Sequence, residues 1–208
     1  MSTPFGPSDS AFDYSGEGFA EQGVTEFLLT VDDLETMVRA GVFDRDDATR
    51  VELEDGRLVR MSPESMPHAR TAARLSLALN MALARLDLTD RYEVLNGGTV
   101  RVSNLSAFTP DGAVIARDAE GFFMRADQAC LVIETSFSSL KRDLGSKSRA
   151  YAAAGTAEYW VIDVKHAQLH VFRRPFEGDW TERLLLTADD SVSPLFAPDA
   201  DIALKSVF

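Results

Sequence analysis

The sequence predicts a single α/β domain in which helices flank a mixed central β-sheet. Three observations indicate this fold class: an apolar stripe at helical spacing over residues 67–87, short alternating runs separated by turn residues, and an apolar run at 130–136 typical of a buried strand. The chain has 208 residues, of which 45% are hydrophobic, which is enough to bury one core. We expect residues 1–29 to form a flexible acidic extension and residues 30–208 to form the domain.

The predicted elements follow the order helix, hairpin, helix, hairpin, strand, strand, helix and terminal strands. Thr30, followed by acids, is a typical N-cap for the first helix. Asp55-Gly56 predicts the turn of one hairpin, and Asn96-Gly97-Gly98 predicts the turn of another. Further strands are predicted over residues 111–117, 130–136, 158–164, 168–174 and 181–187, and a third helix over 143–154.

The charge is strongly negative and unevenly distributed. The net charge is −12, and most of it lies at the two ends, in residues 1–30 and 175–208. Such a surface opposes avid, non-specific binding to nucleic acid, although a local basic cleft that holds a metal could still bind it. The single cysteine excludes a disulfide framework within one chain. Without a signal segment or a long apolar stretch, we expect a cytoplasmic protein that does not enter a membrane.

Two carboxylates occupy strand positions where a charge is costly. Asp111 follows Pro110 at the start of one predicted strand, and Glu134 follows three apolar residues inside the next. If the two strands are neighbours, matched carboxylates would lie about 5 Å apart and would favour a cation between them. The alternative is that Asp111 caps its strand and that Glu134 is solvated at a strand end.

Lys147 lies on the apolar face of the third predicted helix. It shares that face with Leu144, Tyr151 and Ala154. An ammonium group that faces inward needs a negative partner or a catalytic role. The alternative is a solvated ion pair with Asp143, four residues earlier.

Residues 143–163, DLGSKSRAYAAAGTAEYWVID, resemble the signature segment of the Uma-two family of restriction-endonuclease-like proteins, within the PD-(D/E)XK nuclease superfamily. Residues 50–63 resemble the opening hairpin of that family, Pro110-Asp111 its Pro-Asp element, and Ile133-Glu134 the segment with the second acid. The resemblance extends over residues 30–173. It implies a restriction-endonuclease-like core.

The resemblance also implies a reaction and a metal. Asp111 and Glu134 would ligate Mg²⁺ or Mn²⁺, Glu52 could add a third ligand, and Lys147 would assist the attack of water on a phosphodiester bond of DNA. The products would carry a 5′-phosphate and a 3′-hydroxyl. In the wider superfamily the lysine stands two residues after the second acid, where this chain has Ser136.

Two neighbouring features concern the lysine and the edge of the substrate site. Lys141 is a weaker candidate for the missing lysine because it falls in a predicted loop. Residues 135–139, Thr-Ser-Phe-Ser-Ser, depart from the proline-containing loop that is more usual in the family. The departure concerns the shape of the substrate edge more than the metal site.

Auxiliary roles are predicted for a few other side chains. His68, which the resemblance aligns with a family histidine, could contact the metal, a phosphate or Glu52, or could simply bond backbone or solvent at a helix start. Tyr151 could pack or could bond a site carboxylate. His166 and His170 are expected at the surface. Candidate phosphate contacts, or alternatively members of solvated helix faces, are Arg70, Arg74, Lys141, Arg142 and Arg149.

Two functions remain open at this point. The first is a divalent-metal-dependent endonuclease that acts on nucleic acid, most simply DNA. The second is a non-catalytic interaction or regulatory protein that retains the nuclease fold, which the acidic ends and the altered residues after Glu134 favour. The terminal strands at 168–174 and 181–187 could pair between subunits, so a homodimer is possible.

Overall fold

The computed structural model describes residues 25–44 and 50–208. Most of the predicted N-terminal extension, residues 1–24, lies outside the described residues. The helices are α1 (Val31–Arg39), α2 (Met66–Arg85) and α3, which runs as α-helix Leu140–Arg142, π-helix Asp143–Lys147 and α-helix Ser148–Ala153. Short 3-10 helices cover Ala126–Gln128 and Leu204–Ser206. The strands are β1 (Val51–Glu54), β2 (Arg57–Arg60), β3 (Tyr92–Leu95), β4 (Val100–Arg101), β5 (Ala107–Phe108), β6 (Gly112–Ala116), β7 (Met124–Arg125), β8 (Ala129–Ser136), β9 (Glu158–Asp163), β10 (Gln168–Phe176), β11 (Asp179–Thr187), β12 (Ser191–Val192) and β13 (Ile202–Ala203).

A six-stranded mixed sheet forms the centre of the domain, in the order β11-β10-β9-β8-β6-β3. β8 and β9 pair in parallel, and the other neighbouring strands pair antiparallel. Leu75 and Leu79 of α2 pack with Leu131 and Ile133 on one face of this sheet. Tyr151 of α3 packs in the cluster on the other face. The helices therefore cover both faces, and alternate residues of β8 point toward α2 and α3.

A second sheet, in the order β2-β1-β5-β4-β7, lies beside the first. β1 and β2 form the predicted hairpin, with Glu54 paired to Arg57 around Asp55-Gly56. Both turn residues have positive φ, as this type of tight turn requires. The buried Leu53 packs with Val31 of α1, which fixes the hairpin against the domain. This sheet carries Glu52 to the centre of the molecule.

The second predicted hairpin is wrong. Strand β3 pairs with β6 in the six-stranded sheet, whereas β4 pairs with β5 and β7 in the five-stranded sheet. Gly97 and Gly98 have positive φ, but the chain uses them to pass from one sheet to the other. Val94 packs against the α2 side and Val100 against the α3 side, so two different cores separate the strands. Tertiary packing overrides the local turn signal.

The C-terminal strands are only partly at a sheet edge. β11 forms one edge of the six-stranded sheet, but β10 lies inside it, between β11 and β9. Of the two segments expected to be available for pairing between subunits, only β11 therefore has a free edge. Within the described residues, no helix combines the length and the apolar character needed to cross a membrane.

Candidate active site

Asp111 and Glu134 face each other across the β6–β8 ladder. Gly112 pairs with Ile133 in an antiparallel register, which places Asp111, one residue earlier, opposite Glu134. Alternation along β8 puts Glu134 on the same side as Val132, which packs in the α3 cluster. Both carboxylates line one cleft of about 910 Å³. The neighbouring strands and the matched height expected from the sequence are thus present.

The Lys147 ammonium lies between two carboxylates at the base of this cleft. Its Nζ donates to Oε1 of Glu134 at 2.8 Å and to Oε1 of Glu52 at 2.9 Å. The residue is 1% exposed. A solvated pair with Asp143 is therefore excluded, and Asp143 instead accepts bonds from the hydroxyls of Ser136 and Ser139. Ser136, the position of the missing lysine, thus helps to hold the helix that supplies Lys147.

Glu52 is a partner of Lys147 and is buried away from the cleft. Its Oε1 also accepts a bond from the Thr109 backbone N–H at 2.9 Å, and its Oε2 lies 2.7 Å from the Arg142 guanidinium. Glu52 is 1% exposed and is absent from the residues that line the cleft. Glu52 contacts Lys147, Arg142 and the Thr109 amide in this arrangement, and its assignment as a third metal ligand stays a prediction.

Asp111 is held by three groups from three different elements. Its Oδ2 accepts the Thr135 backbone N–H at 2.6 Å and lies 3.1 Å from Nε2 of His68. Its Oδ1 lies 3.6 Å from the Arg50 guanidinium. Asp111 is therefore fixed in orientation by a strand, a helix and the segment before β1. The strand-cap alternative does not describe these contacts.

His68 reaches Asp111 because Ser65 begins α2. The Ser65 side chain accepts the His68 backbone N–H, which places the imidazole in the first helical turn. Nδ1 of His68 lies 3.6 Å from Glu64 and has no hydrogen-bond partner within the described residues. Glu64, His68 and Asp111 each offer a ligand atom, and these atoms all lie within 4.8 Å of one another. His68 thus contacts a site carboxylate, although that carboxylate is Asp111 and not Glu52.

Four residues that contribute to the site were not predicted in the roles that the structure gives them. Arg50, Glu64 and Asp143 contact or neighbour the predicted acids, and Thr135 contributes through its backbone. The only local signal was the spacing of Glu64 and His68, four residues apart across the start of a helix. The others depend on long-range pairing, which a single sequence does not reveal.

Burial sets the electrostatics of the cleft. It raises the pKa of Glu134 to about 8, since the favourable charge of Lys147 does not offset burial together with the nearby Asp143 and Asp111. Burial also opposes the ammonium of Lys147, yet Glu134 and Glu52 raise its pKa above the ordinary value. Lys147 is therefore a stable cation, whereas burial and the neighbouring acids disfavour the ionised form of Glu134 despite its contact with Lys147.

Asp111 and His68 each stabilise the charged form of the other. Burial opposes ionisation of Asp111, but the bonds from His68 and the Thr135 amide lower its pKa. The same contact with Asp111 raises the pKa of His68. In this cleft Asp111 is readily ionised, whereas burial disfavours the ionised form of Glu134 opposite it.

Tyr151 packs in the aromatic cluster below the site. Its ring centroid lies 4.9 Å from that of Tyr159 and 5.8 Å from that of Phe108. The hydroxyl has no hydrogen-bond partner in the part of the chain that the structure describes, and burial raises its pKa well above the ordinary value. Of the two expected roles, packing is the one observed.

The predicted phosphate contacts separate into two groups. Arg70 lies near the Met66 sulfur and Arg74 donates to the Phe208 carbonyl, and neither lines the cleft. Arg142 does line it, but its guanidinium is bonded to Glu54 at 2.9 Å and paired with Glu52. Lys141 and Arg149 also line the cleft. His166 lies in the turn before β10 and pairs with Asp163, so it is not in a strand.

The donor set fits a hard divalent cation. Asp111 and Glu134 supply carboxylate oxygens on facing strands, the ligand type that Mg²⁺ and Mn²⁺ prefer. Burial leaves Glu134 short of compensating charge, and a cation beside it would supply that charge. The cluster of Glu64, His68 and Asp111 is an alternative set that shares Asp111. Both sets place an ion at Asp111.

Comparisons with known proteins relate this chain to one family and one fold. A family model described as "Uma2: Putative restriction endonuclease" matches residues 32–205. The crystal structure of a putative nuclease belonging to DUF820 from Anabaena variabilis superposes with a TM-score of 0.66 and 15% identity, covering 86% of this chain and 97% of that one. The type IIG restriction endonuclease BpuSI gives a TM-score of 0.34 and 15% identity, over 50% of this chain and 11% of that one. A search of curated proteins found no match.

Proposed function

Because the chain belongs to the Uma2 family of putative restriction endonucleases, we propose that it is a divalent-metal-dependent endonuclease that hydrolyses phosphodiester bonds in DNA. The fold is the restriction-endonuclease-like one that the sequence predicts, a mixed sheet with helices on both faces. The observation that carries the proposal is the meeting of two facing acids, Asp111 and Glu134, with the buried ammonium of Lys147 in one cleft.

Asp111 and Glu134 are the residues that would hold Mg²⁺ or Mn²⁺. A bound ion would lower the pKa of a water ligand and neutralise charge on the scissile phosphate. Asp111 suits this role because its orientation is already fixed by the Thr135 amide and by His68. A carboxylate that is pre-oriented in this way loses little freedom when it binds an ion.

Lys147 would act on the attacking water and on the developing negative charge. Its ammonium is a permanent cation at the base of the cleft, and two carboxylates hold it in one position. A fixed donor of this kind stabilises charge that develops at the phosphate without reorganising. Glu52 is then a positioning residue, since it contacts Lys147 and lies outside the cleft.

The test is cleavage of supercoiled and linear DNA by purified protein with Mg²⁺ or Mn²⁺. We expect D111N, E134Q and K147M to lose at least about 100-fold in rate. D127N is the matched control because Asp127 is exposed and bonded only to nearby Arg125. Equal cleavage by all five proteins, wild type included, would identify a contaminating nuclease and remove the proposal.

A non-catalytic interaction role is the second candidate. The net charge of −12 favours it, and so does the altered segment after Glu134. In that case folded protein would show no cleavage and no thermal stabilisation by millimolar Mn²⁺. Metal-dependent cleavage by the wild type that is lost in D111N, E134Q and K147M would exclude this candidate.

A further inference from the structure

Phe137 is an exposed aromatic residue at the cleft that holds the facing acids. It follows β8 directly and lines the same cleft as Asp111 and Glu134. The residue is 37% exposed, although it stands next to a strand whose last residues are buried. An accessible aromatic ring in the cleft of the two acids offers a flat face on which another planar group can stack.

The ring of Phe137 is held from one side. The Lys165 ammonium lies 4.9 Å from the ring centroid, a cation–π contact. This contact restrains the ring while leaving a large part of the residue accessible. A restrained, accessible aromatic ring suits stacking with a second planar group.

Three exposed cations on the same cleft form no salt bridge within the part of the chain that the structure describes. Arg60, Lys141 and Arg149 are exposed and line the cleft, and none has a carboxylate within 4.0 Å among residues 25–44 and 50–208. Arg142 and Lys147, by contrast, are already paired with glutamates. On a chain with a net charge of −12, a local group of unpaired cations indicates a polyanionic ligand at this place.

We propose that the cleft binds single-stranded DNA, with Arg60, Lys141 and Arg149 holding its phosphates and Phe137 stacking on one of its bases. This inference rests on the proposed nuclease function and specifies its substrate. A positively charged groove combined with an aromatic ring is the arrangement that binds single strands. In a duplex the neighbouring base pairs cover both faces of each base, so an unpaired base is the natural partner of Phe137.

The position of the ring relates the stacked base to the reaction. Phe137 is three residues after Glu134, so the two lie within about 10 Å of each other along the chain. The stacked base therefore belongs to a nucleotide close to the scissile phosphate.

Binding can be measured without cleavage, using the full chain in EDTA. The probe is a DNA strand that contains 2-aminopurine, whose fluorescence falls when the base stacks. Fluorescence anisotropy gives the affinity of the protein for this strand and for the matching duplex. We expect the strand to bind more tightly than the duplex, and F137L to weaken strand binding about tenfold. F137W should restore both affinity and quenching. F176L is the control, because Phe176 is 65% exposed but does not line the cleft.

The cations are tested through the salt dependence of the same binding. Each of R60Q, K141Q and R149Q should reduce the slope of log K against log salt by about 0.7, the value for one phosphate contact on a single strand. K205Q, which changes an exposed lysine outside the cleft, should leave the slope unchanged.

The outcomes separate this inference from the nuclease proposal. Tighter binding of the duplex, no binding of either DNA, or equal effects of F137L and F176L would overturn the single-strand inference, even if the protein cleaves DNA. Selective strand binding through Phe137 with no metal-dependent cleavage would instead support the inference and reject catalysis.

Discussion

The Lys147 ammonium lies 2.9 Å from the Glu52 carboxylate although 95 residues separate the two along the chain. Both side chains are buried, so water cannot replace either partner. The contact joins α3 to the β1–β2 hairpin and thereby connects the two sheets at the site. We therefore expect this contact to contribute to the free energy of unfolding of the whole domain.

A double-mutant cycle measures this connection. K147M should lower the free energy of unfolding by about 3–5 kcal/mol, because it leaves buried carboxylates without their cation. The E52Q/K147M double variant should be less destabilised than the sum of the single variants by about 1–3 kcal/mol. Urea unfolding of the four proteins gives the coupling energy. The surface pair Glu35–Arg39 provides the matched control, for which E35Q/R39M should show a coupling of no more than about 0.5 kcal/mol.

Metal binding should depend on both facing acids. Mn²⁺ at 100 times its Kd should stabilise the wild type by about 2.7 kcal/mol, or roughly 5–10 °C in Tm. We expect D111N and E134Q to lose this rise and D127N to retain it. Thermal scans over a series of Mn²⁺ concentrations provide the measurement. If E134Q kept the full rise in Tm, the ion would have to bind at a position that does not involve Glu134 of β8.

Glu64 should be dispensable for the ion if Asp111 and Glu134 hold it. Glu64 is partly exposed and already paired with Arg50, so we expect E64Q to leave the Mn²⁺ midpoint of the thermal shift unchanged. The same titration on E134Q provides the comparison. A loss in E64Q combined with normal behaviour of E134Q would assign the ion to the cluster of Glu64, His68 and Asp111 instead.

A buried acid outside the cleft gives a pH prediction. Glu158 accepts bonds from Trp160, Arg173 and the Leu195 amide, at 2.8, 2.6 and 2.6 Å. Burial is the largest influence on it and raises its pKa above the ordinary value of 4.5 despite these partners. The folded state therefore holds this proton to higher pH than the unfolded state does.

The direction of this pH dependence follows from the linkage between proton binding and folding. The contribution of Glu158 to stability is fully present below pH 4.5 and is lost as the pH rises through the folded-state pKa. E158Q lacks this loss, so the free energy of unfolding of E158Q relative to wild type should increase with pH across that range. Urea midpoints measured from pH 4 upward report the difference. A constant difference would show that the pKa of Glu158 is unshifted.

The Asp55-Gly56 turn should not tolerate a side chain at Gly56. Gly56 has φ +79°, and an added Cβ would lie 2.7 Å from the Cβ of Leu28. G56A should cost more than the 1–2 kcal/mol expected for left-handed backbone alone. Gly155 has the same φ of +79° and open space around it, so G155A isolates the backbone cost. Equal unfolding free energies for the two variants would exclude the contact with Leu28.

Patterns within one element of the sequence predicted much of this molecule. The stripe of α2, the Asp55-Gly56 hairpin and the inward side of Lys147 all follow from local periodicity or turn chemistry. The facing of Asp111 and Glu134 also followed, because consecutive strands usually pair and their side chains alternate.

The remaining features depend on contacts between distant segments. The Asn96-Gly97-Gly98 turn looks local, yet the strands on either side of it join different sheets. The sequence gives no sign of which arginine, Arg70 or Arg142, lies at the cleft. Only the packing of α2 and α3 decides that it is Arg142. The role of Glu52 as a partner of Lys147 required the position of the second sheet.

The π-helix Asp143–Lys147 determines the directions in which the later side chains of α3 point relative to Asp143. Its wider turn lets Asp143 reach the serine hydroxyls while Lys147 reaches the glutamates. Removing one residue from 144–146 would convert this wide turn toward an ordinary α turn and change the spacing between Asp143 and Lys147. The length of this stretch is thus as tightly constrained as the identity of its lysine, even though Gly145 itself touches nothing that would exclude a side chain.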